Sequence, residues 1–121
     1  MSYRILVVDD HADNRRILRD LLGSAGFEVL EAMTGEEAVA RAEALEPDLI
    51  LMDIQLPGID GYEATRRIKA NEALRSIPLI VVTSYALSGD DAKALAAGAD
   101  AYVAKPFSPR AMLAKVREYL T

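Results

Sequence analysis

Asp48-Leu-Ile-Leu-Met-Asp-Ile-Gln-Leu-Pro-Gly-Ile-Asp-Gly61 is the stretch on which the fold turns. Leu49 to Met52 are apolar without a break. Side chains of a strand alternate between its two faces, so a strand with this run must be covered on both. The run closes on a carboxylate, Asp53, and Pro57-Gly58 signals a turn. Asp60 followed by Glu63 then resembles a capping box, the start of a helix.

The same alternation repeats outward in both directions. Short β-rich runs occur at Ile5-Leu-Val-Val8, Glu28-Val-Leu30, Leu79-Ile-Val-Val-Thr83 and Ala101-Tyr-Val103. Between them lie segments with helical spacing, the first carrying Ile17, Leu18, Leu21 and Leu22, the last Met112, Leu113, Val116 and Leu120. Thr34 and Glu37 form a second capping-box pattern, and Ser108 precedes a proline suited to a first helical position. Gly26 and Gly98 stand where helices should stop. Five strands alternating with five helices predict one α/β domain over residues 1–121. Its expected form is a (βα)5 doubly wound parallel sheet, flavodoxin-like, with strand order 2-1-3-4-5.

Composition narrows the function. With 14 Lys+Arg against 19 Asp+Glu the net charge is −5, which argues against direct binding of nucleic acid, whose affinity comes largely from neutralising phosphates. The absence of cysteine removes disulfides, zinc-thiolate sites and iron–sulfur clusters. No apolar run approaches the length of a membrane span, and acidic residues interrupt the apolar run after Val8, so neither a membrane segment nor a signal peptide is expected. A cytoplasmic location is the expectation that follows.

In sheets of this class the site forms beyond the carboxyl ends of the strands. Those ends carry Asp9-Asp10, Asp53, Thr83-Ser84 and Lys105-Pro106. Three carboxylates in one crevice repel one another, at about 4 kcal/mol per pair for charges about 4 Å apart at an effective dielectric of about 20. Such a crevice calls for a cation. Hard oxygen donors suit Mg2+, whereas a single histidine and no cysteine suit zinc poorly. Lys105 and the Thr83 hydroxyl can reach the same phosphoryl oxygen. A metal, a lysine and a hydroxyl around one Asp suit phosphoryl transfer, with Asp53 as nucleophile.

With these motifs, and with Tyr102-Val-Ala-Lys105-Pro106-Phe107, the chain resembles the receiver domain of two-component response regulators, the CheY-like superfamily. With no output domain expected in residues 1–121, the resemblance is to the single-domain members. The resemblance runs from near residue 3 to residue 120. It implies that Asp53 accepts a phosphoryl group from a phosphohistidine on a histidine kinase or histidine phosphotransfer protein. It further implies that Asp10 binds Mg2+ directly (Mn2+ able to substitute), with Asp9 acting mostly through a metal-bound water and the Gln55 carbonyl as a further ligand. Lys105 would pair with the phosphoryl oxygens, and the bond before Pro106 is commonly cis in the family. Thr83 would move toward the phosphoryl group and Tyr102 swing inward, remodelling the face of helix four, strand five and helix five for a downstream target protein. Gln55 and Tyr85 would tune the phosphoryl lifetime, and Ser84 stands where the family usually has Ala or Gly. The implied product is a signalling module that catalyses its own phosphorylation and dephosphorylation, not an enzyme turning over small molecules. It is expected as a monomer or a weak phosphorylation-dependent dimer, with surface residues around helix one selecting the kinase.

Other residues carry milder expectations. His11 reads as a solvated loop histidine. The basic runs Arg15, Arg16, Arg19 and Arg66, Arg67, Lys69 read as solvated helix faces. An aspartyl phosphohydrolase of the haloacid dehalogenase type would want an Asp at position 55, where Gln55 stands. A start at Met1 is expected of a free-standing or N-terminal receiver, since a hybrid kinase's receiver normally follows other domains. An N-terminal receiver cut from a longer regulator stays open.

Overall fold

The computed structural model describes residues 2–84 and 90–120. Strand β3 (Leu49–Asp53) lies at the centre with all of its residues buried. β1 (Arg4–Val8) and β4 (Leu79–Thr83) flank it, and β2 (Glu28–Ala32) and β5 (Ala101–Ala104) form the edges, giving the order β2-β1-β3-β4-β5. Every pairing is parallel. This is the flavodoxin-like order expected. The strands are crossed by α1 (Ala12–Ser24), α2 (Gly35–Leu45), α3 (Gly61–Ala70), α4 (Asp90–Ala96) and α5 (Pro109–Tyr119).

The uninterrupted apolar runs are explained by the two faces they cover. Ile50 and Met52 join Leu6, Leu79 and Val81 in a core closed by Ala38, Ala42, Ala64, Ile68 and Ala94 of α2, α3 and α4. Leu49 and Leu51 point the other way, meeting Ile5, Val7, Ile80 and Val82 under Leu18, Leu22, Met112 and Val116 of α1 and α5. β1 to β4 supply both layers by their twofold alternation, whereas β5 adds Ala101 and Val103 to the second.

The caps form as the sequence suggests. Thr34, Asp60 and Ser108 accept hydrogen bonds from the backbone N–H of Glu37, Glu63 and Ala111 at 3.0, 2.9 and 3.0 Å. Gly26 and Gly98 adopt φ of 95° and 107°, which L-residues rarely reach. α2 ends differently from the others, on Glu46 at φ 44° ahead of Pro47. The Arg4 guanidinium binds the carbonyls of Leu45 and Glu46 there, satisfying a helix end that no glycine marks. Ile17, part of the apolar spacing of α1, is 57% exposed, while Leu18 and Leu22 carry the buried face of the helix.

A crevice at the carboxyl ends of the strands

Register brings the strand ends level. Val8 pairs with Met52, Asp53 with Val82, and Thr83 with Ala104. Asp9 therefore leaves β1 beside Asp53, and Lys105 leaves β5 beside Thr83. Asp9 is 2% exposed and is held from several sides. Its backbone N–H donates to the Ala32 carbonyl at 3.1 Å, its carbonyl accepts from Arg15 Nη1 at 2.7 Å, and its Oδ1 accepts from the His11 N–H at 2.9 Å. Lys105 is anchored by its own N–H, which donates to the Thr83 carbonyl at 2.7 Å. The Lys105–Pro106 bond is cis.

Asp53 is fixed by the turn behind it. The Ile54 N–H donates to its Oδ1 at 2.9 Å, and the Gly61 N–H donates to the Ile54 carbonyl at 2.8 Å. A Cβ on Gly61 would stand 2.1 Å from the Asp53 carbonyl oxygen, so only glycine lets α3 start this close to β3.

The Lys105 ammonium sits between two carboxylates, 3.4 Å from Asp53 Oδ1 and 3.5 Å from Asp9 Oδ2. Asp53 is 7% exposed, and burial pushes its carboxyl above the ordinary value. The Lys105 charge opposes that rise, the Asp9 charge adds to it, and the Ile54 N–H opposes it again. Thr83, 1% exposed, closes the floor beside them. His11, Asp53, Gln55, Thr83, Ser84 and Lys105 line a cavity of about 170 Å³ here.

Asp10 lies at the exposed mouth, its Oδ1 3.0 Å from His11 Nδ1. One ligand atom each from Asp9, Asp10 and His11 lies within 4.8 Å of the other two. The donor set fits a hard divalent cation: the carboxylates of Asp9 and Asp53 share one ammonium, and a third carboxylate, Asp10, stands beside Asp9 at the mouth.

The crevice thus gathers Asp9, Asp10, Asp53, Gln55, Thr83, Ser84 and Lys105. Tyr102 lies apart, 37% exposed on β5. Tyr85 lies outside the described residues. Two basic residues correct the sequence reading. Arg15, expected on a solvated face, is 12% exposed, pairs with Glu31 Oε1 at 3.2 Å and holds the Asp9 carbonyl. It shares the buried face of α1 with Leu18 and Leu22, three and seven residues on, and that spacing is the signal that could have placed it. Lys69 is likewise withdrawn from solvent: its ammonium binds the carbonyls of Arg75 and Ile77 and Asp100 Oδ2 at 3.0, 2.7 and 2.9 Å. Arg66 and Arg67 keep the expected exposed face, each paired with Glu63.

Beside the crevice, a groove of about 550 Å³ runs between α1 and the start of α5. Ile17, Leu21, Phe107 and Pro109 line it, and it opens onto Asp9 and Lys105.

Comparison with known proteins agrees with this architecture. The sequence model of the response regulator receiver domain matches residues 5–117. The polar-differentiation response regulator DivK of Brucella ovis is 39% identical over 120 residues, spanning 99% of this chain and 98% of that protein. Among solved structures, the receiver domain of sensor histidine kinase PA1611 from Pseudomonas aeruginosa PAO1 superposes with a TM-score of 0.93 at 38% identity, covering 99% of this chain and 98% of that one. That structure has a magnesium ion coordinated in its active site cleft. The Vibrio cholerae chemotaxis protein CheY4 superposes with a TM-score of 0.92 at 27% identity, covering 98% of this chain and 99% of that one.

Proposed function

The chain belongs to the response regulator receiver domain family, and on that premise we propose that it is a phosphorylation-dependent switch of a phosphorelay in which Asp53 is the phosphoacceptor. The observation that carries this reading is the Lys105 ammonium held within 3.5 Å of both Asp53 and Asp9 at the floor of the crevice.

The donor is a phosphohistidine of a histidine kinase or phosphotransfer protein. Its P–N bond breaks as an Asp53 Oδ–P bond forms, and the histidine nitrogen leaves with the electron pair. Lys105 lies where it can shift from the carboxylates to a phosphoryl oxygen, and the Thr83 hydroxyl can donate to another. Asp9 and Asp10, with Asp53 and the Gln55 carbonyl, would hold Mg2+ (or Mn2+), which when bound neutralises charge on the transferring group. Gln55 and Ser84 border the path of an attacking water and so set the phosphoryl lifetime together with Tyr85.

The output is a population shift. Phosphorylation adds charge and acceptor oxygens, and only donors that engage them differently in two states bias the equilibrium. Moving a population from about 1:99 to about 99:1 takes about 5.5 kcal/mol. Charge-assisted bonds from Thr83 and Lys105, at about 1.5–3 kcal/mol each, come close to that sum. Tyr102, exposed on β5, is the side chain that turns inward as Thr83 moves. The groove beside α1 seats the donor's phosphohistidine-bearing helix, because an apolar surface contiguous with Asp9 and Lys105 is where a donor reaching Asp53 must rest.

Intact-mass measurement after incubation with Mg2+ and acetyl phosphate tests the reading. One phosphoryl group should be gained by the native chain, and none by Asp53→Asn or in the presence of chelator. Failure with acetyl phosphate and with a phosphohistidine protein alike would contradict it.

A further inference from the structure

His11 occupies the N-cap position of α1, yet its side chain makes no capping hydrogen bond. Its imidazole is 69% exposed and turns toward the acidic pair instead, Nδ1 standing 3.0 Å from Asp10 Oδ1 and 3.4 Å from Asp9 Oδ1. Those separations have a meaning in coordination chemistry. Two ligands about 2.1 Å from one ion stand about 3.0 Å apart at right angles and about 3.4 Å apart at the tetrahedral angle. The Asp9 side of this triangle is rigid, since the His11 N–H itself donates to Asp9 Oδ1 at 2.9 Å and Arg15 holds the Asp9 carbonyl.

We infer that His11 is a nitrogen ligand when a borderline divalent ion such as Zn2+ enters the crevice, so that Asp9, Asp10 and His11 form a mixed carboxylate–imidazole face for such ions, whereas Mg2+ is held by the oxygen donors without it. The inference rests on the metal-binding reading given above. Mg2+ dehydrates reluctantly and is satisfied by oxygen donors and water, so it gains little from an imidazole. Zn2+ takes imidazole nitrogen readily and tolerates an open position occupied by water. The want of cysteine and of a second histidine rules out a closed structural zinc site, not an open one of this kind. His11 thereby sets which metal loads the crevice. An ion held partly by His11 sits toward the mouth, beside Asp10.

The chain has one histidine, which makes the test clean. Tag-free native protein, His11→Gln and His11→Ala are titrated with MgCl2 and, separately, with ZnCl2 by calorimetry, and the imidazole nitrogens of the native chain are followed by ¹H–¹⁵N NMR. Both variants should lose Zn2+ affinity by about tenfold or more, at least what loss of an outer-shell partner costs. Their Mg2+ affinity should stay where it was, and Nδ1 should shift on adding Zn2+ but not Mg2+. Unchanged Zn2+ affinity with an unmoved Nδ1, or equal loss of both ions in the variants, would overturn the role of His11 while Mg2+ binding by the native chain kept the receiver reading intact. A native chain that bound neither ion would overturn both.

Discussion

At the scale of the residue, the crevice is an electrostatic compromise around Asp53. Burial and the Asp9 charge favour its neutral form, while Lys105 and the Ile54 N–H favour the ionised one, and burial prevails. The folded value therefore lies above the ordinary 3.8. Between those two values the folded chain keeps a proton that the unfolded chain has released, so this carboxyl's contribution to stability falls as pH rises through that window and stays unfavourable above it. Asp53→Asn removes the penalty. In metal-free buffer the variant should melt at a higher temperature than the native chain at neutral pH, and the difference should vanish as pH falls below about 3.8, the carboxyl's ordinary value. A variant less stable than the native chain at neutral pH would contradict this balance. Adding Mg2+ should narrow the gap, because the cation stabilises the chain that carries the third carboxylate.

The elements show why parts of this molecule were legible in sequence and others were not. Asp9, Asp53, Thr83 and Lys105 could be placed because each closes or follows a short apolar run, and a parallel sheet aligns such ends whatever the loops do. Thr34, Asp60 and Ser108 could be placed because capping is local chemistry. Glu46 could not, since its left-handed backbone is held by Arg4, a residue on the neighbouring strand rather than in the helix. Arg15 and Lys69 were misread for a related reason: charge pattern along a helix says nothing of carbonyls brought near by β1 or by the segment before β4. Ile17 shares the apolar spacing of α1 yet is exposed, and it lines the groove beside the crevice. Ile17→Asp should slow phosphotransfer from a protein donor by about tenfold, equivalent to about 1.4 kcal/mol, while loading from acetyl phosphate proceeds as before. Equal slowing with both donors would place the defect in the crevice instead. Gly61→Ala, whose new methyl meets the Asp53 carbonyl, should cost about 1–3 kcal/mol in urea unfolding.

Across the whole molecule, one sheet serves two cores. Ile50 and Leu51 are adjacent in β3 yet face opposite layers. Truncating either to alanine should destabilise the fold by about 2–5 kcal/mol, read from the denaturation midpoint with a single transition and an unchanged slope. Separate transitions for the two layers would show that they are not coupled through the sheet. Asp9 and Asp10 stand together at the crevice, where a cation can offset their charge. Among the described residues no helix is long and apolar enough to cross a membrane.

On the function proposed above, one carboxylate, Asp53, carries the signal. The most direct measurement traps the acyl phosphate where it forms: the chain is loaded with acetyl phosphate and Mg2+, reduced with borohydride, digested and sequenced by mass spectrometry. Reduction of an aspartyl phosphate leaves homoserine in place of the aspartate. Homoserine at position 53 alone, absent without Mg2+, is the predicted result. Homoserine at position 9 or 10, or modification spread over several acids of the crevice, would contradict it.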